Sequence, residues 1–392
     1  MTDELQPFGL RYNPFEPAAS GAPISGKLWL PDSWRIDLER MMDELAQGSG
    51  VKALVLAGEY GSGKTYLLHW LRNEGFPSRL IRPFYFDNPG VQFYELANWL
   101  LKDIGRKEFA KSLWELVSTK IPSRQLRMFA RGYEDYLRAR RTVWERKEAL
   151  AALQTAIIES GVASDEEIAF RLARLVAETP DKPYFEYRDF VAGKPNALVA
   201  ENEEAPYFRA ILRALRLAAG IDSVAFLIDE FEEISLQKRL TKRQAQDYLV
   251  TMKRLINLTE GEDLWLVVAM TPDAADKSKM FELEPALWER FTTAEKYNYS
   301  IPPLTAQDAD ELVYQRIEPA RIESGERLSR LFPFPDDVHA AFSPVTYSTP
   351  RRLVKVCFHA ISRATGQPLP FSHAYLRSIE RDVYLIPDAE GL

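Results

Sequence analysis

Cysteine is almost missing from this sequence: 392 residues contain one, Cys357. A single cysteine cannot close an internal disulfide, and it excludes a zinc site built from several thiolates. Histidine is nearly as scarce. His69, His339, His359 and His373 are scattered, without HExxH spacing, so a metal centre built on imidazoles is not expected. Each reads instead as a core or solvated side chain. Long apolar runs are lacking too. Stretches such as 224–228 and 265–270 fall far short of the ~20 residues a membrane span needs, so no membrane contact is expected. The opening MTDELQPFGL has neither a basic segment nor an apolar core, so it does not read as a signal peptide, and the cytoplasm is the expected compartment. Excess positive charge is absent as well. The net charge is −7, which excludes a global basic field for nucleic acid and leaves only local contacts.

What is present is an ordinary globular composition, 46% hydrophobic and 27% charged, in a chain long enough for two or three domains. Residues 1–31, rich in Pro, Gly and Ser, read as an extended arm. Trp34, Leu38, Met41 and Leu45 fall at helical spacing and predict a helix over 32–47. Buried-strand patterns occupy 51–57, 78–86, 223–229 and 263–270, with a short fifth at 296–301. Residues 91–178 read as helical, 179–204 as a polar loop or insertion, and 205–219 as helix again. Thr305 predicts an N-cap opening a helical C-terminal segment. Continuous apolar strands separated by helices predict an α/β fold with a parallel sheet covered on both faces. The helices from 91 onward are too many for a simple crossover and read as an inserted subdomain.

The segment Gly58-Glu-Tyr-Gly61-Ser62-Gly63-Lys64-Thr65 fits GxxxxGK[ST] without a mismatch and lies between a predicted strand and a predicted helix. The glycines let successive backbone N–H groups turn inward around phosphates, and a helix start adds its positive end. Lys64 is placed to reach the β- and γ-phosphates of ATP, and Thr65 to ligate Mg²⁺. Residues 224–230 (VAFLIDE) have the form of a second phosphate-site strand. Its apolar run buries the strand and aims Asp229 at the metal, and Glu230 is placed to orient or deprotonate an attacking water. No Asn-Lys-x-Asp or Thr-Lys-x-Asp segment for guanine recognition is present, which weighs against a GTPase.

With these motifs in place the chain resembles AAA+ P-loop ATPases of the origin-initiator-like branch over roughly 8–90 and 205–370. Residues 215–234 (LRLAAGIDSVAFLIDEFEEI) and the long helical insertion before them make it most similar to ATP-binding proteins of bacterial phage-defence (BREX-type) islands. Residues 7–15 (PFGLRYNPF) are similar to the arm of ATPases linked to transposition and secretion. The resemblance implies a five-stranded parallel AAA+ sheet with a helical insertion and a C-terminal helical lid. The corresponding divisions are an arm at 1–31, a nucleotide-binding core at 32–90 and 205–303, an insertion at 91–204 and a lid at 304–392. It also implies roles for further residues. Thr271 falls at the sensor 1 position. Arg290, in EPALWERF (284–291), matches an arginine finger that serves a neighbouring subunit. Arg351, or the adjacent Arg352, in STPRRLVK (348–355) matches the lid arginine. Asn13, Pro14 and Phe15 match an arm segment that packs near the adenine. The winged-helix module of initiators is not recognisable, which places origin binding in doubt.

Two basic groups remain. Within 124–147 there are eight basic and three acidic side chains. On a helix, Arg124, Arg127, Arg131, Arg138 and Arg141 share one face, opposite Leu126, Phe129, Tyr133, Tyr136 and Leu137. Lys238, Arg239, Lys242 and Arg243 form a second cluster. Either group suits DNA phosphates, or is a solvated face neutralised by acidic neighbours. The expected function is a Mg-ATP-hydrolysing switch or remodeller in an oligomer, or with a partner ATPase, within a DNA-directed assembly. The alternative is an ATP-clamped scaffold or signalling protein with little turnover that recruits partners through the insertion.

Overall fold

The computed structural model describes residues 5–15, 28–48, 51–87, 93–121, 132–134, 143–178, 205–231, 241–261, 264–271, 298–322 and 329–385. Five strands form one all-parallel sheet: β1 (Ala53–Ala57), β2 (Ile81–Phe86), β3 (Ser223–Ile228), β4 (Leu264–Met270) and β5 (Asn298–Ser300), in the order β2-β3-β4-β1-β5. This is the fold class the sequence implies: a parallel P-loop sheet, helices inserted between β2 and β3, and a helical C-terminal region.

The helices are α1 (Asp32–Gln47), α2 (Lys64–Trp70), α3 (Phe93–Ile104), α4 (Arg106–Ser118), α5 (Val143–Glu159), α6 (Glu166–Glu178), α7 (Pro206–Ala219), α8 (Lys242–Gly261), α9 (Ala306–Ile317), α10 (Pro350–Ser362) and α11 (His373–Leu385), with shorter turns between them. Every residue of β1, β3 and β4 is buried, because helices cover both faces of the sheet. Successive side chains of a strand point to opposite faces, so the strands serve two separate cores. Val55, Phe226, Ile228 and Val268 face α3–α8. Leu56, Ala225, Leu227 and Val267 face the N-terminal arm, α1, α2 and the C-terminal helices. β2 lies at the sheet edge, where Pro83, which cannot donate a ladder hydrogen bond, is tolerated.

Local differences from the sequence reading have physical causes. Helix α1 buries Trp34, Leu38, Met42 and Leu45, so Met42 rather than Met41 is the core residue of that turn. The 3.6-residue period fits 34, 38, 42 and 45 as well as it fits 41, and packing against the sheet selects between them. The helix predicted after the glycine loop spans Lys64–Trp70 and continues as a wider π turn over Leu71–Gly75. The ring of Trp70 lies where a Gly75 side chain would stand, 2.9 Å from an added Cβ. Strand β2 begins at Ile81 because Pro77–Arg79 close into a tight turn and Leu80 takes a left-handed conformation. Thr305 caps α9 as expected. It accepts from the Asp308 amide at 3.1 Å while the Asp308 carboxylate accepts from the Thr305 amide at 3.1 Å. Among the described residues, no helix is long and apolar enough to cross a membrane.

The arm is not free. Arg11 N–H donates to Ala320 O at 2.8 Å and Ile322 N–H to Gly9 O at 2.9 Å. Asn13 Nδ2 donates to Phe358 O and to Ser362 Oγ, both at 3.2 Å, at the end of α10. Phe15 is fully buried, edge-on to Phe334 at 5.6 Å. These contacts make the arm a staple across the C-terminal helices.

Candidate functional site

Strand β1 delivers the chain to the glycine loop. Gly58 N–H donates to Met270 O at 3.2 Å, which ties the loop base to the end of β4. Ser62 N–H donates to Glu59 O at 3.0 Å and closes a turn. Gly61 (φ 84°) and Gly63 (φ 106°) take conformations that L side chains avoid, so the sequence needs glycine at both. The Lys64 ammonium donates to Gly58 O at 2.8 Å and Glu59 O at 3.4 Å, folding back over the loop it terminates. Thr65 follows on the first turn of α2.

The C-terminal helices reach this loop directly. Arg351, at the start of α10, donates its backbone N–H to Gly61 O at 3.3 Å. Its guanidinium lies 4.3 Å from the Tyr60 ring centroid. Arg352 turns the other way, 5.1 Å from the Tyr384 ring, whose hydroxyl donates to Arg352 O at 3.1 Å. Of the two arginines offered by the sequence, Arg351 is therefore the one on the loop. The approach is close: a Cβ added at Gly61 would stand 2.9 Å from the Arg351 Cβ. Gly61→Ala should therefore meet two penalties, about 1–2 kcal/mol for the left-handed backbone and a further cost for pushing α10 off the loop. Gly220→Ala meets the first alone, since Gly220 (φ 62°) has open space around its missing Cβ. Chemical denaturation should show the larger loss for Gly61→Ala, and ATP affinity should fall only there. Equal losses with unchanged ATP affinity would refute the contact.

The acidic pair stands on the neighbouring strand end. Asp229 is 4% exposed, directly after β3. Both its carboxylate oxygens are held: Oδ2 by the Tyr85 hydroxyl and Oδ1 by the Glu230 amide, each at 2.9 Å. Burial, then the Asp229 charge, pushes the Tyr85 hydroxyl far above its ordinary pKa, so it stays protonated and donates. His69 stacks on Tyr85 with centroids 4.8 Å apart. Burial first, and then the Arg72 charge, hold this imidazole below its usual pKa, against the pull of Asp229, so it is neutral near pH 7.

Glu230 is exposed and has φ 49°, an uncommon backbone for a residue with a Cβ. Its neighbours account for this. Asp229 N–H is bound to Phe86 O at 3.0 Å and Phe231 N–H to Ala269 O at 3.1 Å, while the Phe231 ring is buried against Tyr248 at 5.6 Å. The chain is pinned on both sides, and Glu230 takes the strain. Such outliers cluster at functional sites. Thr271 follows β4 directly, half-buried, one residue past the Met270 carbonyl that holds Gly58. The loop, Asp229, Glu230 and Thr271 thus gather at the carboxyl ends of the adjacent strands β1, β3 and β4, where open parallel sheets bind ligands.

Arg290 lies outside the described residues. So do Arg124, Arg127, Arg131, Arg138 and Arg141, and Lys238 and Arg239. Tyr133, from the apolar face opposite that arginine stripe, is buried beside Trp114, 6.2 Å between ring centroids. Lys242 and Arg243 begin α8, and Arg243 is exposed. Two residues at the site escaped the sequence reading, Tyr60 and Tyr85. Tyr85 was detectable in principle. In IRPFYF, alternation places it opposite Phe84 and Phe86, on the face of β2 that meets α2.

The residues fit a Mg-bound nucleotide. Two left-handed glycines, Gly61 and Gly63, add no side chain to the loop. Ser62 Oγ is buried in the loop without a hydrogen-bond partner among the described residues. No cluster of three or more His, Cys, Asp or Glu suited to a metal occurs among those residues.

No protein-family model matches the chain, and no curated protein matches it. Among solved structures it is similar to that of the Aeropyrum pernix ORC2 protein in its ADP form. The TM-score is 0.45 and the sequence identity 12%, over 94% of this chain and 72% of that one. A likeness this remote adds nothing to the reading of the site, which rests on the geometry above.

Proposed function

We propose that the chain binds Mg-ATP at the carboxyl edge of β1, β3 and β4, hydrolyses it, and uses the cycle as a switch or remodeller in a multi-protein, DNA-directed assembly of the phage-defence or transposition type. The carrying observation is the seating of Arg351 on Gly61 and Tyr60, beside strand ends that carry Asp229 and Glu230. A loop, an acidic pair and a cation from a separate helical layer are what phosphoryl transfer to water requires.

In this reading the loop amides from Gly58 to Thr65 and the Lys64 ammonium hold the phosphates. Thr65 and Asp229 would hold Mg²⁺, which would supply charge neutralisation for the phosphate oxygens. Glu230 orients water and accepts its proton, Thr271 hydrogen-bonds the reacting end, and Arg351 stabilises the phosphate charge from the C-terminal helices, which act as a lid. The divisions at 1–31, 32–90 with 205–303, 91–204 and 304–392 are proposed as arm, core, insertion and lid. Arg290 completes the site of a neighbouring copy or partner ATPase. The basic groups at Arg124, Arg127, Arg131 and Arg138, and at Lys238, Arg239, Lys242 and Arg243, are the candidate DNA contacts. Support for the DNA-directed setting is the sequence resemblance alone.

Subunit complementation tests the shared site. Arg290→Ala should leave ATP binding intact and lower turnover about 10³-fold. Mixing it with the Glu230→Gln chain should restore turnover, because the second chain brings the missing arginine. No recovery on mixing, or full activity of Arg290→Ala alone, rules out the shared site. Turnover unchanged by single- or double-stranded DNA speaks against the DNA-directed setting.

A further inference from the structure

We propose that Tyr85 is a positioning residue for the metal site: its hydroxyl fixes Asp229, and its ring sets the spacing between Asp229 and the helix that carries Thr65. This rests on the reading of Asp229 and Thr65 as the Mg²⁺ ligands.

The two proposed ligands sit on different elements, Thr65 on α2 and Asp229 after β3. A six-coordinate Mg²⁺ demands near-ideal geometry at short distances, so the separation of those elements matters. Tyr85 bridges them. It lies on β2, the strand paired with β3, with Tyr85 opposite Leu227. Its side chain enters the core on the α2 face of the sheet, as do those of Ala225 and Leu227. Asp229 follows Leu227 by two residues, which returns it to the same face.

On one side the Tyr85 hydroxyl donates to Asp229 Oδ2 at 2.9 Å. On the other its ring stacks on His69 at 4.8 Å and 25°. His69 stands one helical turn after Thr65 on α2, and residues four apart share a helix face. A continuous path therefore runs from Thr65 along α2 to His69, across the ring stack to Tyr85, and through the hydroxyl to Asp229. The Arg72 guanidinium, 6.0 Å from the Tyr85 ring centroid, adds a further contact from the α2 side.

The hydrogen bonding fixes the carboxylate orientation. With the Glu230 amide on Oδ1 and the Tyr85 hydroxyl on Oδ2, rotation about the Cβ–Cγ bond breaks at least one charge-assisted bond. Each oxygen keeps lone-pair capacity for a cation. Outer-shell partners of ligating carboxylates commonly alter metal affinity 10–100-fold when removed. Tyr85 occupies that place here through its bond to Asp229 Oδ2.

The test separates metal from nucleotide. A fluorescent ATP analogue is titrated with wild type, Tyr85→Phe, His69→Ala and Asp229→Asn, in EDTA and across a Mg²⁺ series. In EDTA, Tyr85→Phe should bind the analogue as wild type does. The Mg²⁺ concentration giving half of the metal-dependent gain in affinity should rise about tenfold, and saturating Mg²⁺ should restore the full gain. His69→Ala keeps the hydroxyl and removes the brace, so it should shift the midpoint the same way by less. It also serves if Tyr85→Phe folds poorly. Asp229→Asn should lose the gain altogether. A wild-type Mg²⁺ midpoint in both Tyr85→Phe and His69→Ala, with the gain lost in Asp229→Asn, overturns the role of Tyr85 and leaves the site standing. A loss of affinity in EDTA equal to the loss in Mg²⁺ also overturns it, because a merely structural residue would act that way. If wild type shows no metal-dependent gain and Asp229→Asn matches it, the site reading falls and this proposal with it.

Discussion

Lys64→Ala should abolish measurable ATP binding while leaving the fold intact. The ammonium is the one side-chain cation built into the glycine loop, and it spans the loop mouth by donating to Gly58 O and Glu59 O. In the proposed site these donors would transfer to the oxygens of an entering polyphosphate. The lost interaction is a set of charge-assisted hydrogen bonds at about 1.5–3 kcal/mol each, so an affinity loss of 10²-fold or more is expected. The cost to folding is smaller, since of the two carbonyls released Glu59 O is exposed and only Gly58 O is part-buried. Equilibrium binding of a fluorescent ATP analogue, with circular dichroism to confirm the fold, checks both halves. Wild-type affinity in Lys64→Ala would remove the loop from the site.

The second large effect is on turnover. Glu230→Gln preserves size and backbone and removes only the ability to accept a proton. ATP binding should stay near wild type, and hydrolysis should fall about 10²–10⁴-fold, the usual range for losing a general base. The left-handed backbone at Glu230 adds a second readout. Glu230→Gly relieves a strain of about 1 kcal/mol, so it should be equally inactive yet no less stable than Glu230→Gln. Stability gained as activity is lost would mark the strain as maintained for function. Hydrolysis by Glu230→Gln at the wild-type rate would show that another group activates the water. Turnover absent from wild type, with tight ATP binding, would favour the scaffold in which ATP serves as a clamp.

Much of this architecture was legible in the residues. The strands β1, β3 and β4 announce themselves as unbroken apolar runs because both their faces are buried, and Thr305 announces the start of α9 by its side-chain chemistry. The glycine loop and the Asp229–Glu230 pair were visible because backbone and charge requirements leave few residue types at those positions. Other features depend on three-dimensional packing. Nothing in the local sequence distinguishes Arg351 from Arg352. Only the direction of α10 sends the first to Tyr60 and the second to Tyr384. Tyr85 meets Asp229 across 144 positions of chain, through pairing of β2 with β3. The strain at Glu230 arises from bonds made by its neighbours, Asp229 to β2 and Phe231 to β4, so no propensity at position 230 reveals it.

These elements are proposed to form one nucleotide site, closed by Arg351. Isothermal titration of ATP into the wild-type chain and into Arg351→Ala, each with Mg²⁺, tests it most directly. Wild type should bind one nucleotide per chain, and Arg351→Ala should bind it at least tenfold more weakly, consistent with loss of a charge-assisted contact. Absence of saturable binding by wild type would contradict the site. Equal affinity in the two proteins would contradict its closure by the C-terminal helices.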